Sequence, residues 1–461
     1  MLRASSGGLI GSTAVNSRSR IARIAAASVL ALAAAGAPAA CGPSAAPPPN
    51  VLLVVMDTTR ADRCSLLGYG RPTTPVLDAL ARESAVFEDC WSPSSWTAPA
   101  HATLFTGLLP RNHGLHNGAT LFLDERRTTV AEILRDAGWR TGCFTNNPFI
   151  SPDHGLSQGF ETTDLRFRDA ARPYPWAPAT TEATLAWIDG VVGEGRPFFA
   201  FVSDMEPHAP YTPPTDLERR FAEPGLAAGA LARARTVAFP ESLGMGLGAV
   251  PLPPEIRRAM SSLYDAEIAS VDAALGPLFE GLRSRGLLDS TVVVVTSDHG
   301  EGLGDHGWVE HANYLWRELL RVPLLVRRPG RFDGGRRVKD VVRLEDVAPT
   351  ILELCGRKDP GGLDGIPLTR GLPGRVALGS ENASDGIART AEQNFPGVDV
   401  SSLTRDRRSV FDGRWHLVLT EGGTAHLFDV AADPAEERDL AQEQPSEVER
   451  LKGLAEPMPR R

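Results

Sequence analysis

The sequence predicts an α/β fold, a doubly wound and mostly parallel sheet flanked by helices. Three apolar runs carry that reading: Val51–Met56, Pro197–Val202 and Val292–Val295. Each is continuous rather than alternating, the pattern of a strand buried on both faces. The periodic helix Leu263–Leu287 leads directly into the last run, a helix-to-strand unit of such a sheet. A chain of 461 residues, 42% of them hydrophobic, can hold one large α/β core and a small appended domain.

The elements follow in order from the N-terminus. Arg18, Arg20 and Arg23 precede the apolar stretch Ile24–Ala35, too short to span a membrane and suited to the core of a signal peptide. Residues 1–40 are therefore expected to direct export to the periplasm or cell envelope. Cleavage before Cys41 would allow a lipid anchor in the membrane there, although Pro38 stands where a bacterial lipobox usually has Leu; ordinary cleavage after Ala40 is the alternative. Residues 41–49, rich in Ala and Pro, form a tether. After the Val51–Met56 strand, Ala98–Leu104 reads as a helix that Ser94, Ser95 or Thr97 would cap. Thr129–Thr141 carries apolar residues at helical spacing, then Gly138 at the helix end and the start of a strand. The Pro197–Val202 strand continues into Ser203–Pro214, a segment stiffened by proline at both ends. Ala222–Pro254, rich in Ala, Gly and Pro, is an insertion near the site mouth or a mobile lid.

A formal net charge of −9 argues against nucleic acid as a partner, so an anionic substrate must be met by a metal and by local cations such as Arg60. Of the five cysteines, Cys41 is the candidate lipid site, and the wide spacing of Cys64, Cys90, Cys143 and Cys355 matches no metal knuckle. Their pairing is not legible.

Ligands gather beyond the carboxyl ends of strands in an open parallel sheet. There the first run delivers Asp57, with Thr58, Thr59 and Arg60 behind it, and the last delivers Asp298-His299-Gly300. An anionic oxygen beside a neutral imidazole suits a divalent ion of the zinc or manganese kind, whereas buried without one the pair carries a desolvated charge. A polar turn after a strand is the plainer reading of Asp-His-Gly alone.

Together with Thr97-Ala98-Pro99-Ala100-His101 and Thr106-Gly107, these residues make the chain resemble the sulfatase family of the alkaline phosphatase superfamily, from about Pro49 to Leu440. The resemblance implies an alkaline phosphatase-like catalytic domain over 50–375. It also implies a small C-terminal α+β subdomain over 376–461, with strands in Arg414–Leu419 and His426–Leu440. It makes Asp57, Asp298, His299 and Thr97 ligands of a divalent ion (Mn, Zn or Ca), with Thr97 also at the nucleophile position, Arg60 matching the Arg of the family's Asp-Asp-x-Arg pattern, and Arg60 and His101 counted with the catalytic residues. His208 corresponds to a substrate-facing imidazole, and His208 and His311 would assist the leaving group. In an alternative two-ion arrangement, Asp204, His208 and His311 would hold a second ion.

Three positions depart from the pattern. Thr58 replaces the second acid, which argues for fewer carboxylates than a calcium-type site. Ala100 and His101 replace the Ser and Arg after Pro99. Thr97 replaces the Cys or Ser that is oxidised to formylglycine, and its β-methyl means that oxidation gives a ketone, never an aldehyde. Thr97 must then act as an alkoxide, with activation by the metal. A formylglycine hydrate expels sulfate by elimination, whereas a Thr97 ester must be released by water attacking in line. That difference puts phosphoester or phosphodiester substrates beside sulfate esters. The expected function is an exported, metal-dependent hydrolase acting on a sulfated or phosphorylated small molecule, glycan or lipid. The alternatives are a phosphoalcohol transferase working on envelope glycans or lipids, and a degenerate glycan-binding protein. The other histidines, including His113, His116, His154, His306, His416 and His426, are expected to be structural or exposed.

Overall fold

The computed structural model describes residues 47–116, 121–168, 177–371 and 373–455. The expected leader, Cys41 and most of the tether lie outside them, and the described residues from Pro48 onward pack as one compact unit.

The main sheet contains β1 (Asn50–Met56), β2 (Ala85–Trp91), β3 (Arg140–Thr145), β4 (Thr162–Leu165), β5 (Phe198–Asp204) and β6 (Thr291–Thr296). After a short hairpin of β7 (Gly302–Leu303) and β8 (Val309–Glu310), β9 (Arg321–Arg327) and β10 (Arg336–Arg343) complete it. Its eight strands run β10-β2-β9-β6-β1-β5-β3-β4. Only β9 pairs antiparallel, to β2 and β6, so the expected mostly parallel sheet is what forms.

The apolar runs are buried on both faces, as their lack of alternation requires. Along β1, Leu52, Val54 and Met56 enter the core under the long helix Pro254–Ser284, while Val51, Leu53 and Val55 enter the core under helices Thr97–Thr106 and Val347–Leu354. β5 repeats the division, with Phe198, Ala200 and Val202 on one face and Phe199 and Phe201 on the other. Period-two side-chain direction thus converts one run into two cores.

Local signals hold at the helix ends. Helix Val130–Asp136 starts at Thr129, whose side chain and that of Glu132 form a capping box. Helix Thr97–Thr106 differs from expectation: it begins at Thr97, its N-cap is Trp96, and no side chain caps it. Ser94 and Ser95 turn away to Glu381 instead. The Ala222–Pro254 segment folds as helices Ala228–Ala234 and Glu241–Gly246, with Gly244 against the Phe395 ring and Gly246 against Trp308. It is a packed wall at the site mouth.

A second, antiparallel sheet is built from β11 (Ala377–Glu381), β12 (Arg407–Phe411), β13 (Trp415–Thr420) and β14 (Ala425–Asp429), in that order. Trp91 from the main sheet stacks on Phe411 at 4.2 Å, within a cluster that also holds Leu320, Val341 and Val418. Cys64, Cys90, Cys143 and Cys355 are buried free thiols. No helix among the described residues is long and apolar enough to cross a membrane.

Candidate active site

Adjacent strands β6 and β1 end side by side, with Val55 opposite Thr296, and this register brings Asp57 against Asp298 and His299. Ligand atoms of these three buried residues lie within 4.8 Å of one another. His299 Nδ1–H donates to the Gly300 carbonyl at 2.9 Å, which leaves the Nε2 lone pair directed into the cluster. Asp298 Oδ1 accepts from the Thr58 and His299 backbone N–H groups at 3.1 and 2.9 Å. Asp298 Oδ2 and Asp57 Oδ1 are buried and have no hydrogen-bond partner.

The electrostatics match a cation site. Burial and the neighbouring Asp298 push the Asp57 carboxyl well above its ordinary range. Burial works against charge on Asp298 too, but His299, His101 and two backbone N–H groups hold its carboxyl below the usual range. Burial pushes His299 down to about 4, so its imidazole is neutral at physiological pH. Two carboxylates and one neutral imidazole, with two orphaned oxygens aimed inward, fit a divalent ion of the manganese or zinc kind.

Thr97 is set at the edge of this cluster, in the first turn of its helix, with Oγ1 3.3 Å from His299 Nε2. The N–H groups of that turn favour a negatively charged group beside it. A cavity of about 360 Å³ opens over Thr97 and is lined by His208 and His311, among others. The His208 and His311 rings are 4.8 Å apart, and His311 is 4.5 Å from His299. His311 Nδ1 is 3.0 Å from Glu301 Oε1, which fixes the ring.

Three expected residues stand elsewhere. Arg60 is buried, donates through Nε and Nη2 to Asp62 at 2.9 and 2.8 Å, and reaches Asp305 at 2.6 Å and the Glu301 carbonyl at 3.1 Å through Nη1. A buried guanidinium must satisfy its donors, and here it does so by bracing the loop after β6; it lines a separate hollow rather than the Thr97 cavity. His101 lies one helical turn below Thr97, fully buried, with Nδ1 2.9 Å from the Thr97 carbonyl oxygen and 3.4 Å from Asp298 Oδ2. It backs the cluster and does not line the cavity. Asp204 forms no ligand group with His208 and His311: its neighbours are Glu206 and the Thr180 side chain, so the second-ion set is not assembled. The other cluster of this type among the described residues, His306, Glu318 and Glu436, has both Glu436 oxygens engaged already, by His416 and the Arg317 N–H.

Residues 49–357 match the sulfatase family, and residues 304–456 match the family described as N-sulphoglucosamine sulphohydrolase, C-terminal. The chain belongs to the sulfatase family. This sulfatase-family hydrolase is 26% identical to arylsulfatase K of Xenopus laevis over 446 residues, covering 88% of the chain and 81% of that protein. It is 27% identical over 474 residues to the multifunctional alkaline phosphatase superfamily protein PehA of Trinickia caryophylli, covering 85% and 91%. The crystal structure of the phosphonate monoester hydrolase of Agrobacterium radiobacter superposes with a TM-score of 0.68 at 25% identity, covering 88% of this chain and 94% of that one. The fold and the reaction class, hydrolysis of sulfuric or phosphoric esters, follow from the family.

Sequence reasoning missed Asn147, Glu301 and Glu310. Asn147 follows β3 and donates to Asp57 Oδ2. The signal was present: β3 ends at Thr145 and is followed directly by Asn146-Asn147 at the same rim as the acids. Glu310, Ala312 and Asn313 line the cavity with φ of 68°, 67° and 62°, and Thr58 stands at 52°. Strain of about 1–3 kcal/mol at each such position is concentrated around the site.

Proposed function

We propose that this sulfatase-family enzyme cleaves a sulfate ester or phosphodiester by attack of Thr97 Oγ1, without formylglycine. The observation that carries the reading is the placement of Thr97 Oγ1 beside His299 Nε2, at a helix N-terminus and under a cavity. A divalent ion held by Asp57, Asp298 and His299 would supply positive charge that lowers the hydroxyl's pKa and neutralises the ester oxygens. Thr97 Oγ1, its proton released to solvent, then bonds to sulfur or phosphorus as the bond to the alcohol oxygen breaks on the opposite side. The imidazolium form of His208 or His311, whose Nδ1 atoms are held by the Ala209 carbonyl and the Glu301 carboxyl, gives the departing oxygen its proton from Nε2 and returns to the neutral ring. Water attacks the Thr97 ester in line and restores the hydroxyl. Phosphodiesters stand beside sulfates because a threonine ester has no elimination route, and the likeness to a phosphonate monoester hydrolase supports the same breadth.

The test uses protein made in a host lacking the formylglycine-generating enzyme. Thr97→Ala is expected to lower kcat/KM by about a thousandfold, and Thr97→Ser to keep part of the activity. Full activity in Thr97→Ala would refute the mechanism. Sequence alone supports export, with residues 1–40 removed and Cys41 as lipid anchor; N-terminal sequencing of protein from its native host is expected to find no residue before Cys41.

A further inference from the structure

The cavity over Thr97 has an unusual lining for a site that receives an anion. Its walls are Trp96, Phe149, Phe239, Leu243, Trp308 and Ile387, and among the described lining residues there is no Lys or Arg. Trp96 and Phe149 meet edge to face at 5.4 Å on one side, and Phe239 stands at the rim with half its surface in solvent. The one carboxyl group in the lining belongs to Glu310. Arg60, the cation nearest the rim in sequence, is spent on Asp62 and Asp305.

Counting charge decides what such a site accepts. A divalent ion bound by the two carboxylates of Asp57 and Asp298 and by the lone pair of the His299 imidazole would give a sum near zero, because metal ligation requires the deprotonated ligands, and the helix N-terminus adds about half a positive charge. That matches an ester bearing one negative charge. A second charge on the ester would find no Lys or Arg in the lining to offset it, and a charged group elsewhere on the substrate would enter an aromatic wall beside a carboxyl group, where low dielectric magnifies repulsion and desolvation.

Resting on the reading of the site given above, we propose that the substrate is a monoanionic ester of an uncharged aryl or alkyl alcohol, whose apolar portion fills the aromatic cavity. Sulfate monoesters and phosphodiesters share this chemistry. Dianionic phosphomonoesters and sugars carrying further sulfate groups are rejected.

Binding is measured by calorimetry on Thr97→Ala protein loaded with Mn, so that the result does not depend on turnover. The probes are 4-nitrophenyl sulfate, methyl 4-nitrophenyl phosphate, 4-nitrophenyl phosphate and D-glucosamine-2-N,6-O-disulfate. The two monoanionic esters are expected to bind at least about tenfold more tightly than the other two, and the stronger of the pair identifies sulfate or phosphodiester as the natural head group. On the enzyme with Thr97 intact, Phe239→Ala should raise KM for 4-nitrophenyl sulfate about tenfold with little change in kcat, the signature of lost uniform binding. Phe239→Arg should narrow the gap to the dianionic ester. Equal or tighter binding of the disulfate or the phosphomonoester would overturn the proposal even if Thr97 is the nucleophile. If the charge ranking holds while Thr97→Ala keeps full activity, the proposal stands and the Thr97 mechanism fails.

Discussion

Asp57 Oδ1 and Asp298 Oδ2 are carboxylate oxygens sealed from water without a donor, in a protein where Asp298 Oδ1 beside them takes two N–H groups. Leaving a buried charged acceptor unsatisfied costs at least about 1–3 kcal/mol, so the pair is set up for a cation. Asp298→Ala and His299→Ala are therefore expected to lose stoichiometric metal, measured by elemental analysis after dialysis, while far-UV circular dichroism stays that of the unmodified chain. Stoichiometric metal in both variants would remove the cluster from the mechanism. Asp57 and the Asp298-His299 pair were legible in the sequence because each ends a continuous apolar strand, and β pairing places strand ends predictably. Arg60 was misjudged for a reason equally physical: its partners Asp62 and Asp305 occupy it, and nothing in the spacing of a guanidinium from an acid across 245 positions announces their meeting. Asp204 misled similarly, since the strand end was right and the side-chain direction was not.

At the scale of elements, the loop before Thr97 is held from the second sheet. Glu381 Oε1, at the end of β11, accepts from the Ser94 hydroxyl at 2.6 Å, the Ser95 N–H at 2.7 Å and the Ser95 hydroxyl at 3.1 Å. The Ser95 carbonyl in turn accepts from the Ala312 N–H at 3.0 Å, tying the Thr97 loop to the His311 loop. Burial pushes the Glu381 carboxyl up to about 7, against the opposing pull of these donors. In the unfolded chain the group releases its proton near 4.5, so between about 4.5 and 7 the folded state holds a proton the unfolded state has lost. Stability from this group is full below 4.5 and falls as pH rises to 7. Glu381→Gln, which keeps an acceptor oxygen and never ionises, should flatten that part of the stability–pH curve relative to the unmodified chain and retain most activity. Glu381→Ala should lower kcat with metal content unchanged, because the loop loses its anchor and the cluster does not. An unchanged slope in Glu381→Gln would count against this assignment. The central strands β1, β5 and β6, the helix leading into β6 and the helix after Thr129 with Gly138 beyond its end were readable from apolar runs and helical period. The Glu381 tether was not, because an acceptor contributed by a distant antiparallel sheet leaves no local pattern.

Over the whole molecule, the second sheet has strands of its own yet shares a core with the first. Trp91 lies flat on Phe411 at 4.2 Å with 19° between planes and meets the His416 ring at 5.1 Å, and Leu315, Leu320 and Val341 from the larger sheet's side join Val418 and Val430 around it. An interface built as a continuous core, rather than as a wet contact between separate bodies, couples the unfolding of its two sides. Scanning calorimetry should accordingly show one transition for the chain from Pro48 onward, with tryptophan fluorescence and far-UV circular dichroism changing together. Trp91→Ala removes the largest ring of the shared cluster and should cost about 3–5 kcal/mol, lowering the single midpoint for both sheets at once. Two resolved transitions in the unmodified protein, or a Trp91→Ala variant in which only one sheet melts early, would mean that the C-terminal sheet folds on its own. The Glu381 tether to the Thr97 loop would then be an attachment between domains, and loss of activity on mild heating should precede loss of the main sheet. With a shared core, activity and structure should disappear at the same temperature.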